Sequence, residues 1–356
     1  MPLSIRPTVA SVPAYKPGKP APVGPDGASY KLSSNENPYP PLPGVIEATQ
    51  RAVLAMNRYP DMANTELITA LATKHGVGED EVAVGTGSVA VLYNLLQAMV
   101  TEGDEVLYAW RSFEAYPIAV QLTGARSVQV PLGPGATHDL DAMLEAITPA
   151  TKVILICTPN NPTGPAIDHD QLAAFVERVP DHIMIVIDEA YIEFSTTPAR
   201  ARFGDLRAPN VLTMRTFSKA YGLAGFRVGY CIADPTVAAA VRAAATPFGV
   251  SAPAQAAAVA SLAAESELLQ RVGELIKERA RVVAGLRDLG LPIPDSQSNF
   301  VWLPIGPQTA DWATAFGAAG LAVRPFTDEP DAGIRITIGE PEANTLALDV
   351  TRSLLG

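Results

Sequence analysis

Cysteine is scarce in this chain, with two thiols, Cys157 and Cys231, in 356 residues. Each sits in an apolar, strand-like run, so both are expected as buried free thiols and the expected compartment is a reducing cytoplasm. The four histidines, His75, His138, His169 and His182, are scattered over polar loops and helix ends. No grouping of His, Cys, Asp and Glu has metal-ligand spacing, so no metal is expected. No Gly-x-Ser-x-Gly elbow is present, which removes one common frame for Ser/His/Asp hydrolysis. No stretch approaches the roughly 18–20 uninterrupted apolar residues of a spanning helix. The opening residues, Met1-Pro2-Leu3-Ser4-Ile5-Arg6-Pro7, lack the apolar core of a secretory signal. Positive charge is in deficit as well. A net charge of −11 argues against broad binding to a nucleic-acid backbone, while leaving room for a local pocket that takes one small anion.

What is present suits a globular enzyme. Hydrophobic residues make up 48 % of the chain and charged residues 18 %, enough for a large core and more than one domain. Residues 1–40 are rich in proline and read as an extended arm packed on a smaller unit. Residues 41–245 alternate short apolar runs with helical stretches. Strands are expected at 81–84, 106–108, 125–132, 153–157, 183–187, 211–215 and 227–233. Helices are expected after Ser88, where Leu92, Leu95, Leu96 and Met99 share a face, and over 168–179. Runs apolar on both faces, such as Val153-Ile154-Leu155-Ile156-Cys157, suit a buried and mostly parallel sheet covered by helices. From 246 to 356 a long Ala-rich helical region leads into strands at 300–303, 322–324 and 334–338, a small α+β domain. The fold class is α/β with a cleft between the two domains.

Ligands in such sheets collect where strands end and helices begin, and several segments fall there. Gly85-Thr86-Gly87-Ser88 offers a tight turn and a helix start suited to phosphate, though it also fits an ordinary strand-to-helix turn. Thr158-Pro159-Asn160-Asn161-Pro162-Thr163-Gly164 can aim an amide into the cleft, or be a plain Asn-Pro turn. Asp188 ends an apolar strand, where a carboxylate needs a cation or several donors; a structural cap is the other reading. Lys219, after Thr216-Phe217-Ser218, precedes a Gly-punctuated turn ending at Arg227. Lysines are usually solvated, and it is the ordered co-occurrence of all these groups that carries weight.

Asn160 to Gly164, Asp188-Glu189-Ala190-Tyr191 and Ser218-Lys219 with Arg227 resemble the class II, fold-type-I aminotransferases that use pyridoxal 5'-phosphate. Ser34-Asn35-Glu36-Asn37-Pro38, Asn57-Arg58-Tyr59-Pro60-Asp61, Val323-Arg324-Pro325-Phe326 and Ile334-Arg335-Ile336-Thr337-Ile338-Gly339 resemble the histidinol-phosphate and aromatic amino acid aminotransferase branch. Trp110-Arg111-Ser112-Phe113-Glu114-Ala115-Tyr116-Pro117 is similar to the aromatic amino acid enzymes of actinobacteria.

The resemblance implies a set of roles. Lys219 would carry the cofactor as a Schiff base and move the substrate proton. Asp188 would face the ring nitrogen, and Asn161 with Tyr191 the ring oxygen. Phe113 would stack on the ring. Ser218, Arg227, and the amides of Gly87 and Ser88 would hold the phosphate. Tyr59 would reach that phosphate from the neighbouring subunit of a homodimer. Arg335 would fork onto the substrate α-carboxylate, with Arg324 the competing candidate, while Asn35 and Tyr15 wall the side-chain pocket. The implied reaction pairs an aromatic L-amino acid with a 2-oxo acid; histidinol phosphate is the alternative substrate.

Overall fold

The computed structural model describes residues 3–15, 17–18, 20–197, 206–328 and 332–356. Met1, Pro2, Lys16 and Lys19 of the expected arm lie outside the described residues.

A seven-stranded sheet forms the centre. Its order is β2 (Val82–Gly85), β8 (Gly229–Ile232), β7 (Val211–Thr216), β6 (Met184–Asp188), β5 (Thr151–Cys157), β3 (Glu105–Trp110) and β4 (Arg126–Pro131). All neighbours run parallel except β8, which is antiparallel to both β2 and β7. The period-2 geometry of a strand splits β5 and β6 between two cores. Val153, Leu155, Cys157, Met184 and Val186 enter one, and Ile154, Ile156, Ile185 and Ile187 enter the other. Both faces are therefore covered, which explains why neither strand alternates with polar residues. The expected strand at 227–233 begins two residues late, because Arg227 takes a left-handed backbone conformation.

A second sheet of three strands has the order β11 (Arg324–Phe326), β12 (Gly333–Thr337) and β9 (Phe300–Leu303), all antiparallel. The strand expected at 322–324 is split at Val323, since β10 (Leu321–Ala322) leaves to pair in parallel with β1 (Tyr30–Lys31). The Ala-rich region is two helices, Ala252–Ala263 and Glu265–Asp288, meeting at Ala264. The longer one buries Leu268, Val272, Leu275, Val282 and Leu286 at helical spacing. Its buried Arg279 is held by the carbonyls of Phe194 at 2.9 Å and Ser298 at 2.8 Å. Those bonds supply the partners that a buried guanidinium requires. No helix among the described residues is long and apolar enough to cross a membrane.

Candidate active site

The parallel strands β3, β5, β6 and β7 point their carboxyl ends toward one cavity of about 250 Å³. Asp188, Asn161, Tyr191, Ser218, Lys219, Arg227, Phe113, Ser88, Arg335, Asn35 and Tyr15, all expected at the site, border this cavity. Arg324 borders it too. Gly87 stands just behind, against the Arg227 guanidinium.

Asp188 is the last residue of β6 and is buried. Oδ2 accepts from the Tyr116 hydroxyl at 2.8 Å and Oδ1 from the Ala190 amide at 3.2 Å. Burial pushes its carboxyl up to about 6, against the pull of those two donors. An acid in such surroundings gains most from a cation set opposite it. Tyr191, two residues past the start of the turn, offers its own proton, because its oxygen already accepts from Asn35 Nδ2 at 2.9 Å. Burial holds that phenol protonated.

Lys219 Nζ donates to the carbonyl of Ser34 at 2.9 Å and lies 5.7 Å from the centroid of the Tyr191 ring. Burial, followed by the charge of Arg335, brings its amine down to about 7. A lysine so placed is partly neutral near pH 7, the state needed for nucleophilic or basic chemistry.

An anion cradle lies on the same side. The helix Ser88–Met99 starts from Gly87, which has φ of +88° and caps no backbone N–H with a side chain. The Gly87 amide is spent on the Gly85 carbonyl at 2.8 Å, so the partial positive charge of the helix start is presented to a ligand by Ser88, which borders the cavity. Arg227 Nη1 donates to Ser218 Oγ at 3.2 Å. A Cβ at Gly87 would collide with Arg227 Nη2, and one at Gly229 with the Ser88 amide. Two glycines thus let backbone, guanidinium and hydroxyl converge.

Arg335 sits on the middle strand of the small sheet and is only 7 % exposed. Nη1 donates to Asn161 Oδ1 at 2.5 Å and Nη2 to the Ser33 carbonyl at 2.7 Å. Its Nε is buried with no partner. A buried cation with an orphan donor fits a bound carboxylate. The rings of Phe300 and Phe326 flank the guanidinium, at 5.5 and 5.8 Å. Asn160 takes a different part: its amide is consumed by Ser112 Oγ, the Arg111 carbonyl and Thr163 Oγ1. That network holds the turn rigid and leaves Asn161 to the cavity.

Tyr59 is not brought to the cavity of its own chain. It is 82 % exposed and stacks on Phe248 at 4.7 Å. His138 lies in a loop and His169 opens the helix His169–Arg178, as expected, and both are buried. Among the described residues no group of His, Cys, Asp and Glu could hold a metal ion. Tyr116 and Glu114 were not expected at the site; only their place in the helix that follows Phe113 could have suggested them.

The donor set fits one flat, phosphate-bearing heterocycle with a cationic ring nitrogen. Asp188 suits the ring nitrogen, Tyr191 and Asn161 an oxygen, and the cradle at Gly87, Ser88, Ser218 and Arg227 the phosphate.

Residues 29–350 match the family "Aminotransferase class I and II", and the chain belongs to that family. An aromatic amino acid aminotransferase from Streptomyces avermitilis is 55 % identical over 350 residues, 98 % of this chain and 96 % of the relative. Another, from Thermobifida fusca, is 50 % identical over 351 residues, again 98 % and 96 %. Among solved structures, histidinol-phosphate aminotransferase from Sinorhizobium meliloti, in complex with pyridoxal-5'-phosphate, has a TM-score of 0.87 at 29 % identity over 98 % of both chains. Aspartate aminotransferase from Thermus thermophilus with maleate has a TM-score of 0.82 at 26 % identity, over 94 % of this chain and 92 % of that one.

Proposed function

We propose that this chain moves an amino group between an aromatic L-amino acid and a 2-oxo acid, with glutamate and 2-oxoglutarate as the second pair and pyridoxal 5'-phosphate as cofactor. The bound cofactor supplies an electron-accepting ring that stores the amino group between the two half-reactions. Lys219 anchors it and, once its amine is free, carries a proton to or from the substrate α-carbon. Asp188 holds positive charge at the ring nitrogen. Asn161 and Tyr191 donate toward the ring oxygen, and Phe113 covers the ring face. Ser218, Arg227 and the Ser88 amide bind the phosphate, with Gly87 leaving room for the Arg227 guanidinium beside it. Arg335 takes the substrate α-carboxylate, its unpartnered Nε adding a donor to the fork. Asn35 and Tyr15 wall the side-chain pocket. Tyr59, exposed on its own chain, acts across the interface of a homodimer. A cytoplasmic setting suits the two buried thiols, Cys157 and Cys231.

The observation that carries this reading is one cavity bordered by an amine lowered to about 7 and a carboxyl raised to about 6, beside an anion cradle. The relatives named for aromatic amino acids favour the aromatic substrate over histidinol phosphate. Steady-state kinetics on the cofactor-loaded protein decide between them. The expected outcome is a higher kcat/KM for phenylalanine with 2-oxoglutarate. A higher value for histidinol phosphate with 2-oxoglutarate would reverse the assignment.

A further inference from the structure

The helix Ala115–Thr123 begins at Glu114, yet the Glu114 side chain makes no cap bond to that helix. Its carboxylate instead reaches across the cleft to Arg324 of β11, with Oε2 2.6 Å from Nη2. The pair is partly enclosed, the side chains being 28 % and 11 % exposed, and both residues border the cavity. Arg324 also donates to the Pro17 carbonyl at 3.3 Å and lies 5.4 Å from the Phe326 ring centroid. One guanidinium therefore joins the N-terminal arm, the large sheet's helix and the small sheet at the mouth of the site.

Three arginines border the cavity; Arg227 belongs to the anion cradle, and of the other two only Arg335 is left with an orphan donor. A substrate with an aromatic side chain brings one carboxylate; a dicarboxylate brings two. Arg324 is the cation within the cavity that a second carboxylate could use, and Glu114 already occupies it. The charges of Arg324 and Glu114 both act on Arg335, in opposite senses.

We infer that Glu114 is a specificity-determining residue: a built-in counter-ion at the far end of the pocket that ranks neutral, aromatic side chains above the second carboxylate of glutamate and 2-oxoglutarate, which the same pocket admits at a cost. The inference rests on the proposed function and names how that site ranks its substrates. While Glu114 holds Arg324, the flat guanidinium and the ring of Phe326 beside it offer faces on which an aromatic ring stacks. A dicarboxylate must displace Glu114, leaving its charge partly buried and without its partner, and that penalty falls on one substrate class alone.

The test uses the cofactor-loaded protein and its variants Glu114→Gln, Glu114→Asp, Arg324→Gln and the double variant Glu114→Gln/Arg324→Gln. Affinities for glutarate and hydrocinnamate are measured by calorimetry; each has one carboxylate for Arg335, and they differ at the far end. Glutamate and phenylalanine are compared by kcat/KM. Glu114→Gln is expected to tighten glutarate by about tenfold relative to hydrocinnamate, the scale of one charge-assisted hydrogen bond. The glutamate-to-phenylalanine ratio moves the same way. Glu114→Asp keeps the parent ratio, and the double variant loses the gain. Parallel changes for both ligands in Glu114→Gln, or a gain that survives removal of Arg324, would overturn the inference. Should Glu114→Gln not fold, a glutarate-to-hydrocinnamate ratio unmoved in Arg324→Gln would overturn it equally. A parent that takes no amino group from phenylalanine refutes the aromatic assignment, whereas the two-ligand ratio still judges Glu114.

Discussion

The Tyr116 hydroxyl donates to Asp188 Oδ2 at 2.8 Å, from a ring with no access to solvent. Burial, then the Asp188 charge, raises the phenol well above its ordinary range, so Tyr116 stays a neutral donor at every working pH. It favours the charged carboxylate against the burial that opposes it. Tyr116→Phe keeps the ring and removes the donor. The expected result is about tenfold weaker retention of pyridoxal 5'-phosphate, from the loss of one hydrogen bond to a charged group. Equilibrium dialysis of the cofactor checks this, and unchanged retention would remove Tyr116 from the site.

Lys219 gives a pH signature to the cofactor-free protein. Its amine is lowered from 10.5 to about 7, so at pH between those values the unfolded chain binds a proton that the folded one does not. Folding is then penalised fully below about 7, and the penalty fades as pH rises toward 10.5. Lys219→Ala removes it. Thermal melts of the cofactor-free proteins should show the variant more stable near pH 7 and the gap closing by pH 10. The same variant loses transamination.

Arg335 is expected to matter for the α-carboxylate rather than for the side chain. Arg335→Lys replaces a fork with a point charge, so kcat/KM for phenylalanine should fall by roughly 10–100-fold, the range of one strong charge-assisted contact. A donor without an α-carboxylate, such as histidinol phosphate, should lose far less. Equal losses for both would place the arginine elsewhere in the mechanism.

Gly87→Ala tests the phosphate cradle. The new Cβ must adopt a φ of +88° and meets the Arg227 guanidinium. Strain of about 1–3 kcal/mol and a displaced Arg227 should weaken binding of both pyridoxal 5'-phosphate and inorganic phosphate. Pyridoxal lacking the phosphate should bind as it does to the parent. If all three ligands weaken alike, the effect is general unfolding.

Much of this site was legible because its residues end strands. The uninterrupted apolar runs locate β5 and β6, and a carboxylate or amide directly after such a run has one place to go. Strand direction has no comparable local signal, so β8 running against both its neighbours was not legible. Alternation in Ile334-Arg335-Ile336 assigns faces correctly, with both isoleucines in the core. It says nothing of β12 being the middle strand, which is what buries Arg335. Tyr116 escaped notice because its partner is 72 residues away, and Glu114 because Arg324 is 210 residues away. Long-range polar pairs depend on packing that no local window contains.

The parallel pairing of β1 with β10 has a consequence for synthesis. All seven strands of the large sheet have been synthesised once the ribosome has passed residue 232, so Lys219 and Asp188 are made well ahead of the small sheet. Tyr30 and Lys31 still wait for Leu321 and Ala322, and only after them does Arg335 emerge. A nascent chain therefore has the strands of the proposed cofactor bed before the proposed substrate clamp, and joining its two ends closes one of the longest loops of the fold.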